Sequence, residues 1–527
     1  MPRIFQLYWT IGILVIVTVL GSIFLAPDRT RDPDTIIYAT YGDVKDWDPA
    51  IAFSLEVLVL ANIYEPLVYY DDRNSEADSL LRPGLAESWS VSDDGLVWRF
   101  NLRPDVVFHD GEPLTAQAAK QSLERTIEME MGGFYIWEAV REIRALDTLT
   151  LEIETSYPAP IDLIASSQYA AYIYSPAAAE RGTDWFNQGN AAGTGPYRLR
   201  QWDRNQQIVL EKNADYWGGW RDGQMTRVIF KIVRESATQV QLLLAGETDF
   251  LSLVSVDLVS TFEENPDIEV SYIPSWKNSQ FLLNTQKAPT NDLNFRRALV
   301  HAWDYSTVVD EVYDGSAEVS RGIIPKSLWG HDATLETPSF DLEKARQYVE
   351  ASAVPPNERK ITIAYIAASE AYRSAVELFQ NNLAQIGITV EVEPGPWGTI
   401  WDAAKNPATA PNAISMTWWP TYATPSDWLT GLFRTEERPN FNLSYYQNPR
   451  YDALVEAGVR LEATDRAAAI AQYQAAQRIL VEDAVGIFYA DLKERVIHRA
   501  DLKNVRTNPA YNTIFFYEIT RQPPGQP

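Results

Sequence analysis

Apolar and polar residues follow two periods along the chain, and the periods take turns. Thr35-Ile36-Ile37-Tyr38-Ala39 predicts a first strand, and strands and helices alternate from there, the pattern of an α/β protein. The clearest unit is 361–392. A β-branched strand (ITIAYIA) precedes a helix whose Val376, Phe379, Leu383 and Ile386 make one apolar stripe; Gly387 stops it before a second strand, ITVEV. This predicts a βαβ crossover with parallel strands. A second crossover is predicted over 227–251, with Gly246 as its stop. Trp89 to Phe108 alternates as a hairpin about Asp93-Asp94-Gly95, and 466–481 reads as an Ala-rich helix.

The first residues depart from both periods. Leu7 to Ala26 carries no charge over 20 residues, enough as a helix to cross roughly 30 Å of hydrocarbon. The run ends Phe24-Leu25-Ala26-Pro27, a poor cleavage site, so an uncleaved anchor is favoured over a signal peptide removed on secretion. Arg3 on one side and Arg29 and Arg31 on the other leave its orientation open. A polar linker, 27–34, leads into the soluble body.

Composition then removes whole classes of chemistry. A chain of 527 residues can build a sizeable core without disulfides, in roughly three or four folding units. The absence of cysteine excludes thiol catalysis, Cys-ligated zinc, iron–sulfur clusters and a lipidated cysteine. The four histidines (His109, His301, His331, His498) are scattered outside any HExxH pattern, so no metal and no cofactor is expected. With 71 acidic against 45 basic side chains, a balance of −26, nucleic acid is not the expected partner.

Among the motifs, Gly193-Thr194-Gly195-Pro196-Tyr197 fails as a phosphate loop. Pro196 follows the glycines, and the next segments read as a strand hairpin, not a helix with free N–H groups. No GxSxG elbow is present, and no two of the many carboxylates stand out as a glycosidase pair. The strongest local anomaly is 417–429, TWWPTYATPSDWL, with three tryptophans, one tyrosine and a single charge. Neighbouring strand residues face opposite sides, so Trp418 and Trp419 cannot both enter one core, and at least one is expected to line a surface or cleft. Trp276, Trp397 and Trp401 lie near expected loop starts.

Several segments together resemble the dipeptide/oligopeptide-type solute-binding proteins of bacterial ABC importers (extracellular solute-binding protein family 5). These are Asp48-Pro49 with Ile63-Tyr64-Glu65-Pro66-Leu67-Val68; Pro83-Gly84-Leu85-Ala86-Glu87-Ser88-Trp89 with Trp98-Arg99-Phe100; and Phe108-His109-Asp110-Gly111-Glu112-Pro113-Leu114-Thr115-Ala116. The most diagnostic is 193–219, GTGPYRLRQWDRNQQIVLEKNADYWGG, followed by Asp292, Phe295-Arg296-Arg297-Ala298-Leu299 and Asp304. The resemblance runs over roughly 35–520. It implies a periplasmic-binding-protein-like α/β fold of the cluster C type, two hinged lobes, one with an extra subdomain, to which the apolar run adds an expected N-terminal transmembrane helix. Lobe I would comprise 35–55, 185–274 and 490–527, its subdomain 56–184, and lobe II 275–489. The ligand would lie between lobes that close over it and face a permease with its ATPase, in the periplasm or at the outer face of the inner membrane, with the protein a monomer and not an enzyme.

One departure bears on the ligand. In peptide-binding members, a segment like "GW.aDy.DP" supplies an aspartate for the peptide's α-amino group. Aligning Trp418 and Pro425 places Thr421 at that position and Thr424 at the second acidic one. An ammonium buried without its carboxylate is costly, so the expected ligand is a neutral oligosaccharide, glycoside or other polar solute. The expected site residues are Trp418, Trp419, Thr421, Tyr422, Trp428, Trp397, Trp276 and Tyr41. A peptide or opine receptor of the same type is the alternative. A tethered glycoside-active enzyme, and a module that signals to a membrane sensor or acts as a chaperone, are readings from other classes.

Overall fold

In the computed structural model, which describes residues 32–522 apart from 54–55, 72–79, 253, 255, 368 and 512, Lys360–Ile366 and Thr389–Gly395 pair in parallel across the helix Glu370–Gln385. The Ser369 hydroxyl caps this helix, and Val376, Phe379, Leu383 and Ile386 are buried. Gly387 ends it at φ 78°, a left-handed turn that a Cβ would penalise. The predicted unit at 227–251 also forms, as strand Arg227–Ile232, helix Ser236–Leu244 and strand Phe250–Leu251. Its two strands do not pair with each other; Thr35–Thr40 inserts between them, parallel to both. The apolar run Leu7–Ala26 lies outside the described residues, and among the described residues no helix is long and apolar enough to cross a membrane.

Two strands carry the architecture. Ile268–Leu283 and Gly486–Arg499 are antiparallel neighbours at the centre of an eleven-stranded sheet. On one side of them lie Phe250–Leu251, Thr35–Thr40, Arg227–Ile232, Gln207–Lys212 and Tyr197–Asp203. On the other lie Ala413–Trp418, Lys360–Ile366 and Thr389–Gly395. Their own pairing breaks between Pro274 and Asn278, where proline has no N–H to give to the ladder. Ser275 Oγ donates to the Leu492 carbonyl at 2.6 Å, and Lys277 Nζ meets Glu494 at 2.7 Å across the gap. Separate apolar cores flank the break, one around Tyr38, Phe230 and Phe516 and two around Trp428 and Phe281. The molecule therefore has two α/β lobes sharing two strands, with the weakest part of the ladder between them.

A third body is inserted after the first strand. Ala86–Val91 and Val97–Leu102 form the predicted hairpin, with Gly95 at φ 74°, and Thr150–Thr155 and Val140–Ala145 complete a four-stranded antiparallel sheet. The helix Ala116–Glu128 buries Ala116, Ala119 and Leu123 against it. Its Arg125 leaves this body and clamps Asp48, at 2.8 and 2.5 Å, while Thr183 Oγ1 and the Ala50 N–H also donate to that fully buried carboxylate.

The segment 193–219 is explained by packing. Its Thr194 hydroxyl, Tyr216 hydroxyl and Trp217 indole N–H donate to the buried Glu65 carboxylate at 2.9, 2.9 and 2.8 Å. Gly195 lies so close to the Ile63 carbonyl that a Cβ would stand 2.7 Å from its oxygen, and the turn leads into the antiparallel pair Tyr197–Asp203 and Gln207–Lys212. His109 docks on the same turn, its backbone N–H donating to the Gly193 carbonyl and its Nε2 lying 3.0 Å from the Gly195 oxygen. Near the other end of the chain, Arg521 donates to Asp249, whose second oxygen accepts the Ile37 N–H at 2.7 Å.

Candidate functional site

The aromatic segment is a wall between two cavities. The strand Ala413–Trp418 ends at Trp418 and the chain crosses between the lobes before the helix Ser426–Phe433. Alternation sends the two adjacent indoles apart. Trp419 is 44% exposed and lines a cavity of about 260 Å³ beside the strand break, together with Tyr41, Gln168, Ser252, Lys277 and Asn508. Trp418 lines a cavity of about 630 Å³ between the inserted body and lobe II, with Tyr135, Tyr157, Tyr422, Asp427 and Arg434. The larger volume falls within the range of small-solute pockets, about 300–1,000 Å³, and the smaller lies just below it.

Thr421 joins the two sides of the cleft. Its hydroxyl is 2.6 Å from the Tyr135 hydroxyl, and its carbonyl accepts Ser167 Oγ at 2.7 Å. An ion pair, Asp162 with Arg466 at 3.0 Å, connects the same two bodies. The described arrangement is therefore a closed one. Asp427 stands behind Thr421 and accepts the Trp418 indole N–H at 2.9 Å. Burial pushes its carboxyl up to about 7, partly offset by donors from Trp418 and Thr421.

The remaining expected residues have other surroundings. Trp428 is fully buried, its indole donating to Asn278 at 3.0 Å, and Trp276 is buried edge-on to Tyr70. Trp397 begins the helix Trp397–Ala404 and packs on the lobe II core, lining neither cavity. Trp401 stacks on Phe441, which in turn meets the edge of Trp418. Of the expected tryptophans, only Trp419 presents a large open face. Tyr135, Ser167, Gln168, Asp427, Arg434 and Arg460 were not expected at the cleft. For Asp427 a signal existed, because it is the single charge in 417–429.

Thr424, fully buried, donates to Glu462 at 2.5 Å, and Tyr473 donates to the same oxygen. Burial raises the Glu462 carboxyl to about 7. Its folded value lies above its ordinary one, so its stabilising proton is fully held below about pH 4.5 and is lost as pH rises through 7, a difference of about 3 kcal/mol. Glu462→Gln is expected to melt higher than the wild type at pH 8 and to lose that advantage by pH 5. A pH-independent difference in melting temperature between the two proteins would contradict this assignment.

Two α/β lobes sharing a pair of strands, with a closed aromatic cleft between them, define a hinged solute-binding protein. Residues 81–440 match the model for bacterial extracellular solute-binding proteins, family 5, and the chain belongs to that family. It is the substrate-binding component of an ABC importer and is periplasmic. The probable D,D-dipeptide-binding periplasmic protein DdpA of Escherichia coli is 28% identical over 505 residues, covering 94% of this chain and 96% of that protein. The glutathione-binding protein GsiB of Pectobacterium atrosepticum is 26% identical, covering 88% and 89%. The structure of the periplasmic binding protein DppA from Helicobacter pylori with the peptide STSA is similar at a TM-score of 0.77 and 25% identity, covering 93% of this chain and 98% of that one. These relatives are transport receptors, not enzymes. The ligands named for these three are a dipeptide, glutathione and a peptide, and the nickel-binding periplasmic protein of Escherichia coli is 25% identical over 92% of this chain; this gives the oligosaccharide expectation no support and favours its peptide alternative.

Proposed function

We propose that this protein captures a short peptide or peptide-like solute between its lobes and delivers it to a membrane permease. The observation that carries this reading is the placement of 417–427 in the closed cleft: its Trp419 side opens on lobe I and its Trp418 side on the inserted body. A ligand held there touches both sides only when the lobes are together, so its contact energy is the closing free energy. Lobe II, 275–489, swings against the rest about the break at Pro274. Peptide-binding relatives support the ligand class, and the geometry agrees: most of the tryptophans that a sugar would stack on are committed to the core or to one another.

The test is a melting-temperature screen of di- and tripeptides, glutathione, and mono- and disaccharides. Peptidic ligands are expected to raise the melting temperature, by about 2.7 kcal/mol of stability at one hundred times the dissociation constant, and sugars to leave it unchanged. Stabilisation by a sugar and by none of the peptides would overturn the reading.

A further inference from the structure

A turn that lines neither cavity joins lobe II to the inserted body. The helices Pro449–Glu462 and Arg466–Glu482 meet there, and Gly95 of the inserted hairpin packs so close that a Cβ would stand 3.1 Å from the Thr464 methyl. Arg466 crosses the boundary to Asp162, Nη2 to Oδ2 at 3.0 Å. Four residues before it, Glu462 is buried behind the cleft segment, where one oxygen accepts Thr424 and Tyr473. Its other oxygen, Oε2, and the Arg466 Nε are both buried without a hydrogen-bond partner among the described residues. The guanidinium acts on this carboxyl electrostatically without pairing with it. An acceptor and a donor that lack partners thus stand at one turn. Titratable groups on the surrounding elements are Tyr422 and Asp427 on the cleft side, Tyr473 and His331 on the side of the second helix, Glu456 and Arg460 on its own helix, and Asp94 and Asp162 across the boundary.

A buried carboxylate without a cation is costly, and a guanidinium at the start of the next helix needs only a change of rotamer to supply one. While the lobes are closed, Asp162 holds that guanidinium. When they part, Asp162 leaves with the inserted body and Arg466 stays beside Glu462. We infer that Arg466 is an exchangeable latch, paired with Asp162 in the closed protein and with Glu462 in the open one, so that closing takes the cation from Glu462 and a proton replaces it. One ion pair is traded for another, which leaves the two states close in energy and lets a ligand decide between them. The Glu462 carboxyl stands at about 7 in the closed arrangement, and the returning guanidinium lowers it in the open one. The closed protein therefore holds the proton more tightly. Closure is favoured fully below the open-state value and loses that advantage as pH rises through 7. The latch rests on the hinge between the lobes and not on the class of ligand, so it stands or falls apart from the peptide reading.

The experiment needs no ligand. The chain has no cysteine, so Thr148→Cys in the inserted body and Ala471→Cys in lobe II, both at exposed positions, carry one spin label each. Electron–electron double resonance then reads the distance between them in the empty full chain. The ratio of short to long distances is expected to fall roughly tenfold from pH 5 to pH 8, a coupling of the usual size for linked sites. Glu462→Gln, Asp162→Asn and Arg466→Gln should each flatten that dependence, since each removes one party to the exchange, whereas Asp427→Asn should leave it. Asp162→Asn should also lower the ratio at pH 5 when Arg466 is present and not in Arg466→Gln, a dependence of one substitution on the other that misfolding alone does not produce. A pH dependence that survives in Glu462→Gln, or disappears in Asp427→Asn, would assign the titration elsewhere and overturn the latch. One unchanging distance in the wild type at both pH values would overturn it as well.

Discussion

Glu65→Ala is expected to lower the unfolding free energy by about 4 kcal/mol, measured from urea midpoints at constant slope. The carboxylate is buried and accepts from Thr194, Tyr216 and Trp217, with Tyr69 as a longer fourth donor at 3.4 Å. Truncation leaves those donors in a space closed to solvent, at about 1–3 kcal/mol for each one stranded. Burial raises the Glu65 carboxyl above its ordinary range while the four donors pull it back, so part of the loss is offset by removing an ion from a dry site. Glu65→Gln keeps an acceptor and should cost less than half as much. An alanine variant as stable as the glutamine one would show that the donors find other partners.

Arg125→Ala is the second large effect, at about 3–5 kcal/mol, because it strands a buried carboxylate. Asp48 is fully buried, and Arg125 is its cation, supported by Thr183 and the Ala50 N–H. The guanidinium also lies near the Tyr174 and Phe186 rings, at 5.7 and 5.6 Å, so its loss removes packing as well. The combined change of Arg125→Met with Asp48→Leu should recover much of the stability, since it removes both charges. A double variant as unstable as Arg125→Ala would assign the effect to packing instead of to the unpaired charge.

Glu65 and Asp48 sit in segments that the sequence marks by resemblance, yet their partners were invisible there. Glu65 lies next to Pro66 in a short motif, while its three closest donors come from 194 to 217. Only the folded chain shows that the two motifs are one hydrogen-bonded unit. Local periodicity did better. The stripe Val376, Phe379, Leu383 and Ile386 reports a helix and its buried face because both are properties of adjacent turns. The unit at 227–251 shows the limit: its elements were legible, but the strand between them comes from the chain's opening. At the cleft, alternation correctly separated Trp418 from Trp419, since it depends on strand geometry alone. Exposure does not follow from composition, and so Trp428 and Trp276 read as candidate site residues although both are buried. Substitution of the expected acid by Thr421 suggested an uncharged ligand. A carboxylate six positions later, at Asp427, reaches the back of Thr421 because the intervening chain turns into a helix there.

The bond from Arg521 to Asp249 has a bearing on how the protein is made. Asp249 also holds the Ile37 N–H, and Thr35–Thr40 lies between strands that begin at 227 and 250. A ribosome adding roughly 5–20 residues each second needs about 25–100 s to pass from the first of these residues to the last. The inserted sheet, whose strands all fall within 86–155, has its whole sequence early in that interval. The lobe that comes first in the chain is thus the last to be finished, because its opening strand waits for 227–251 and Asp249 waits for Arg521.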